Sequence, residues 1–194
     1  MKTRLRLLPV LGLLLIAASA QAQGNSPTVF IDQMQPLIDT TVGGLAIGGA
    51  SHEKLAQTVT VGHDGRLRGV FLPIGCDSGR LVVEIWNVEP NGAPGSLLIA
   101  RRAFPAEQVT AIGPVFRYFN FEDDHGLFFF VGNRFAIVLR NPTGTCGIFR
   151  GPLGDTYTGG SGFFDALPNP PGWVPFSPTE TRLDLPFMTV MRLP

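Results

Sequence analysis

The chain has 194 residues, with 15 basic and 15 acidic side chains, 24 Gly and 17 Pro, and only 15% of its residues are charged. That balance offers no clustered basic surface for nucleic acid. So much Gly and Pro favours many short strands and turns over long helices, and the length suits one domain with a full core.

The first 22 residues read as a secretion leader. Lys2, Arg4 and Arg6 form a positive start, and residues 7–18 form an apolar run too short, with these flanks, to span a membrane. Ala18-Ser19-Ala20 and Ala20-Gln21-Ala22 both fit small-x-small cleavage sites, and cleavage is expected after Ala22. No Cys at that site offers a lipid attachment point, no later stretch is long and apolar enough to span a membrane, and no hydrophobic tail precedes Pro194. A secreted or periplasmic protein is expected. Removing the leader takes three basic residues and no acidic one, leaving 12 against 15 and a net charge of −3.

Residues 23–194 read as one domain. Residues 29–31 suggest a first strand, and the Gly-rich run 43–49 is unfit for a helix interior. Residues 57–62 alternate as a strand and lead into His63-Asp64-Gly65, which has hairpin turn chemistry. The strand 66–74 follows, with a bulge suggested at Gly69 and a free edge near Pro73. In the strand 81–88, Leu81, Val83 and Ile85 make the core face, while Val82, Glu84 and Trp86 point the other way. After a Pro/Gly loop at 89–96 the chain returns as a strand at 97–104. Residues 116–121 alternate again, then a polar turn spans 122–126. Strands at 127–131 and 134–140 flank Gly132-Asn133, again with hairpin chemistry. Short strands at 146–150, 162–164 and 187–192 complete the chain. The pattern predicts an all-β, antiparallel sandwich.

Cys76 and Cys146 each follow a strand, and both are expected in loops. An even count in an exported chain predicts a disulfide between them, and no His or further Cys stands at zinc-ligand spacing from either.

Several segments together carry a family resemblance: 56–62 (Ala-Gln-Thr-Val-Thr-Val-Gly), 81–85 (Leu-Val-Val-Glu-Ile), 92–98 (Gly-Ala-Pro-Gly-Ser-Leu-Leu), 134–139 (Arg-Phe-Ala-Ile-Val-Leu), 154–160 (Gly-Asp-Thr-Tyr-Thr-Gly-Gly) and a loop with Trp173. Their order resembles bacterial secreted β-sandwich domains called choice-of-anchor domains. The resemblance spans about residues 28–192 and implies a jelly-roll-like strand order, similar also to carbohydrate-binding modules. It implies attachment to the envelope by varied anchors or none. This chain departs from the pattern in its Cys pair and in having no hydrophobic C-terminal anchor.

Catalytic chemistry finds little support. Gly159-Gly160-Ser161-Gly162-Phe163 lacks the last glycine of a serine-hydrolase elbow and reads as a glycine-rich loop. His52, His63 and His125 lack ligand spacing and read as solvated turn residues. Asp77, Asp123, Asp124, Asp155 and Asp165 sit in loops, where turn chemistry explains them better than Ca²⁺ does. Glu84 is the one strand-centred carboxylate, without a nameable partner for glycoside hydrolysis. The aromatics carry the leading expectation: Trp86, Tyr157 and Trp173 as rings that stack on a sugar, with Glu84 as the orienting polar group. Against it stands the reading of both Trp as half-buried packing residues. The sequence thus predicts a non-catalytic binding or envelope-associated module with no cofactor or metal, glycans being the candidate ligand. A structural or adhesive protein with a protein partner is the alternative, and a hydrolase is least favoured.

Overall fold

The computed structural model describes residues 28–110, 113–121, 127–176 and 182–194. The leader expected over residues 1–22 and the polar turn at 122–126, with Asp123, Asp124 and His125, lie outside the described residues. The described strands, in chain order, are β1 (Val29–Gln35), β2 (Leu45–Gly48), β3 (Lys54–Thr60), β4 (Gly65–Leu72), β5 (Ile74–Cys76), β6 (Arg80–Val88) and β7 (Pro94–Pro105). They continue with β8 (Arg117–Asn120), β9 (Phe128–Phe129), β10 (Arg134–Arg140), β11 (Thr145–Ile148), β12 (Gly162–Asp165), β13 (Val174–Pro175) and β14 (Phe187–Arg192). Helix among the described residues is confined to a 3₁₀ turn at Ala106–Gln108.

All named strand pairs are antiparallel. One sheet runs β1-β14-β4-β8, with β9 also on β4; a second runs β13-β12-β3-β10-β6-β7; a third, smaller one runs β2-β11-β5. A single core cluster draws Leu67, Leu72, Phe119 and Phe187 from the first sheet and Leu55, Val59, Leu81, Ile85, Phe135 and Leu139 from the second. Two sheets that bury their inner faces against each other form a β-sandwich, as expected. The strand alternation explains it: Leu81, Val83 and Ile85 point into this core, and Glu84 and Trp86 point away.

Four expectations are corrected. Pro73, which has no N–H for a ladder, ends β4, and the chain changes sheets there, so 66–74 is two strands. His63-Asp64-Gly65 and Gly132-Asn133 are not hairpins. Each joins a strand of one sheet to a strand of the other, β3 to β4 and β9 to β10. Long-range bonds steer both turns: Asp32 accepts from the Gly62 N–H, and Asp64 accepts from the Val131 N–H at 2.6 Å. The bulge expected at Gly69 is present, since the β4–β14 register skips Arg68 between Leu67 and Gly69. Cys76 lies not in a loop but in β5, and Cys146 lies in β11, which overlaps the strand expected at 146–150; the two stand directly opposite each other and are disulfide-bonded. Among the described residues no helix is long and apolar enough to cross a membrane.

Candidate functional site

The outer face of the six-stranded sheet carries most of the residues singled out in the sequence. Its centre is built from small residues, Ala56, Ala136 and Val138, all fully buried. They leave a shallow bed on which Trp86, Trp173 and Phe163 rest. The two indoles meet edge to face, with centroids 6.4 Å apart and planes at 89°. Each is half-buried. The structure therefore brings Trp86 and Trp173 together, although 87 positions separate them, as packing partners that each keep part of a ring open.

Glu84 is not the open polar group expected. It is 1% exposed. Its Oε1 accepts from Arg140 Nη2 at 2.8 Å and Nε at 3.1 Å, and Arg101 Nε stands 3.5 Å away. Its Oε2 accepts from Trp86 Nε1 at 3.1 Å. Register explains the convergence: Glu84 lies opposite Arg101 on β7 and Val138 on β10, and Arg140 is the next residue on that face of β10. A carboxylate with both oxygens engaged fixes the Trp86 indole and holds two strands, and it has little capacity left for a ligand.

Tyr157 is also placed differently. It is 8% exposed and packs edge to face on Phe187 inside the main core. Its hydroxyl accepts from the Thr60 N–H at 3.2 Å and donates to Gln33 Oε1 at 3.1 Å. Burial pushes its ionisation up to about 12, outweighing the backbone hydrogen bond at Thr60 that lowers it; Asp32 and Asp184 add to the rise. The neutral phenol is thus favoured by folding. This group's contribution to stability is present below its ordinary value of 10.0 and is lost as pH rises through about 12. Alkaline titration followed by phenolate absorbance is expected to show a tyrosine ionising only near pH 12, and Tyr157→Phe removes that step. Ionisation of every tyrosine near pH 10 in the folded protein would contradict the buried placement.

Beneath Tyr157 lies a buried polar network. Asp184, 2% exposed, accepts from the Thr156 and Tyr157 N–H groups, both at 2.9 Å, and from Gln57 Nε2 at 3.2 Å. Burial pushes its carboxyl up, opposed by those same hydrogen bonds. The network ties the segment before the glycine-rich loop to β3 and to the approach to β14.

That loop forms one wall of a polar cleft of about 390 Å³ at the end of the outer face. Thr60 and Arg134, paired across β3 and β10, form its floor. The β6–β7 turn at 90–92 forms one side; residues 158–161 and Phe163 form the other. The glycines have a packing reason: a Cβ on Gly160 would collide with the Thr58 carbonyl oxygen. Ser161 is laced to the same residue, donating its N–H to Thr58 Oγ1 at 2.9 Å and accepting from the Thr58 N–H at 2.9 Å. Phe163 belongs both to the cleft and to the bed under the two Trp. Arg134 stands two residues along β10 from Ala136, the partner of Trp86, so cleft and indole pair are about 7 Å apart along the strand.

Sequence reasoning missed Arg134, Thr60 and Asn91, because only strand register and a distant loop make them neighbours. Asp165, expected in a loop, instead ends β12 and pairs with Lys54 across from it on β3 at 2.7 Å. Among the described residues no group of three His, Cys, Asp or Glu is placed to hold a metal ion. The class defined by these observations is an antiparallel β-sandwich with one disulfide and a polar cleft on its outer face. Comparison with family models, curated proteins and solved structures returns no match.

Proposed function

We propose that the chain is an exported, non-catalytic binding module of the choice-of-anchor kind that takes a glycan on the outer face of its six-stranded sheet. The observation that carries this reading is the polar cleft beside the Trp86–Trp173 pair. A polar cleft with a partly open aromatic edge suits a ligand with hydroxyls on its rim and C–H groups on its faces. Export is supported by the leader and by the Cys76–Cys146 disulfide, which fits an oxidising compartment. The non-catalytic reading is supported by Glu84, whose carboxylate is taken up by Arg140, Arg101 and Trp86. In this reading Trp86 and Trp173 contact ligand, while Glu84 and Tyr157 hold the scaffold. On a glycan array, binding by the wild type is expected, with Trp173→Ala weakening it about tenfold or more, as at a binding hot spot. Binding that survives both Trp86→Ala and Trp173→Ala, or binding to no glycan, overturns the proposal.

A protein partner is the second reading, and one observation favours it. The outer face of the first sheet has an apolar trough of about 420 Å³ lined by Val29, Phe30, Ile31, Phe71, Tyr118 and Val190. Val29, Ile31 and Tyr118 are 55%, 42% and 39% exposed there. Contiguous exposed apolar surface of this kind marks interaction sites.

A further inference from the structure

We infer that the cleft selects a carboxylate-bearing saccharide, a uronate, with the guanidinium of Arg134 as the carboxylate clamp; this rests on the glycan reading above. Among the described residues lining the cleft, Arg134 alone carries a formal charge, and no carboxylate lines it. Its side chain is exposed, and no hydrogen bond or ion pair within the described residues engages its guanidinium. The contrast with the same face is sharp: Arg140 and Arg101 converge on Glu84, while Arg134 on the same strand as Arg140 has no acid opposite it, only Thr60. The guanidinium passes beneath the β6–β7 turn, where a Cβ on Gly92 would come within 3.4 Å of Nη2. Its planar fork matches a carboxylate bidentately, which a neutral sugar cannot exploit.

The remaining lining suits the rest of such a sugar. Thr60 Oγ1 donates its proton to the Gly159 carbonyl at 2.6 Å, which leaves its lone pairs to accept from a ligand hydroxyl. Asn91 Oδ1 accepts from the Ala93 N–H at 3.1 Å, which leaves the Asn91 amide N–H groups as donors. Phe163, 7% exposed, contributes a narrow apolar edge to an otherwise polar lining and leads to the indole pair. A volume of about 390 Å³ lies within the ~300–1,000 Å³ of ligand sites, enough for a terminal sugar residue with its neighbour along the Trp edge. Overall charge does not supply the attraction. Once the leader is removed the chain is net negative, so a polyanion is repelled at long range and must be held locally.

The test is calorimetric titration with oligogalacturonate, oligomannuronate and hyaluronan oligosaccharides, with their carboxyl-reduced counterparts and with dextran sulfate. At least one uronate is expected to bind, its carboxyl-reduced form about tenfold or more weaker, and the binding to weaken as salt is raised. Arg134→Gln is expected to lose about tenfold or more toward the uronate while its thermal unfolding midpoint stays close to the wild-type value, because among the described residues its guanidinium makes no hydrogen bond or ion pair and only a through-space charge interaction with Tyr157. Equal binding of acidic and reduced forms, insensitivity to Arg134→Gln, or dextran sulfate binding as tightly as the uronate overturns this inference. If a neutral glycan binds and no uronate does, the uronate inference falls and the glycan reading stands. If no glycan binds, both fall.

Discussion

Replacing Cys76 and Cys146 together by alanine is expected to lower the free energy of unfolding by about 4 kcal/mol, within the ~2–5 kcal/mol seen for small secreted domains. The bridge closes a span of 70 residues, and a loop of that length gives roughly 4 kcal/mol in the chain-entropy model. The strands it joins are short, though Ile74 and Ile148 also anchor them in the core. β5 is three residues long and is matched to β11 at Cys76, Gly75 and Ile74. β11 in turn carries β2, so the bridge sits at the junction of the small sheet. Both sulfurs sit in the core, 5% and 2% exposed by residue. Alanine is therefore the right replacement, since serine would also bury a hydroxyl and mix two costs. Denaturant unfolding of the oxidised protein, the reduced protein and the double-alanine variant measures the effect. Reduced wild type and variant should agree closely, and amide exchange should accelerate first in β2, β5 and β11. A loss below about 1 kcal/mol in the variant would show that the bridge records proximity and adds no constraint.

Period-two alternation was enough to separate the faces of β6. Leu81, Val83 and Ile85 enter the core, and Glu84 and Trp86 leave it, because side-chain direction along a strand is a local property. What covers an outward face is not local. Glu84 is buried by Arg101 and Arg140, one from the next strand and one 56 residues away, and Trp86 is capped by a loop at Trp173. Nothing near Glu84 in the sequence distinguishes an open carboxylate from a covered one. Tyr157 fails for a related reason. Its neighbours read as loop, and they are loop, but Gly160 lets that loop press onto β3 and turns the ring inward. Turn chemistry likewise reports a reversal without its destination. Gly132 has the positive φ expected of a tight turn, yet β9 and β10 belong to different sheets. The Cys pairing was legible from the even count and the expected oxidising compartment, whereas its setting in two strands needed the register of β5 with β11. The cleft is the least legible feature. Thr60 meets Arg134 through register, and the opposing walls come from turns about 70 residues apart.

Removing the guanidinium that pairs most closely with Glu84 is expected to be the most damaging single surface-strand substitution. Arg140→Ala should cost about 3–5 kcal/mol, the range for leaving a buried charge without its partner. Glu84 is 1% exposed and cannot turn to water, while Arg140 is 29% exposed by side chain and could if left alone. The pair is therefore asymmetric. Glu84→Ala should cost less, about 2–3 kcal/mol, because the two arginines it abandons can both reach solvent. Arg101 offers only partial replacement in Arg140→Ala: its Nε is 3.5 Å from Oε1 and its side chain is half exposed, where screening weakens it. Glu84→Gln separates charge from shape. The amide keeps an oxygen for either Arg140 or Trp86 Nε1 but not both, and its NH₂ meets a donor on the other side. An Arg140→Ala and Glu84→Ala double variant closes the cycle and should be more stable than Arg140→Ala alone, because it removes the stranded carboxylate along with its partner. Urea unfolding gives the four stabilities. Indole fluorescence gives a second readout, because the Trp86 N–H bonded to Glu84 at 3.1 Å loses its acceptor in Glu84→Ala and keeps it in Arg140→Ala. If Glu84→Ala proved costlier than Arg140→Ala, the carboxylate would be acting as the sole tie among β6, β7 and β10, and burial of its charge would not be the deciding term.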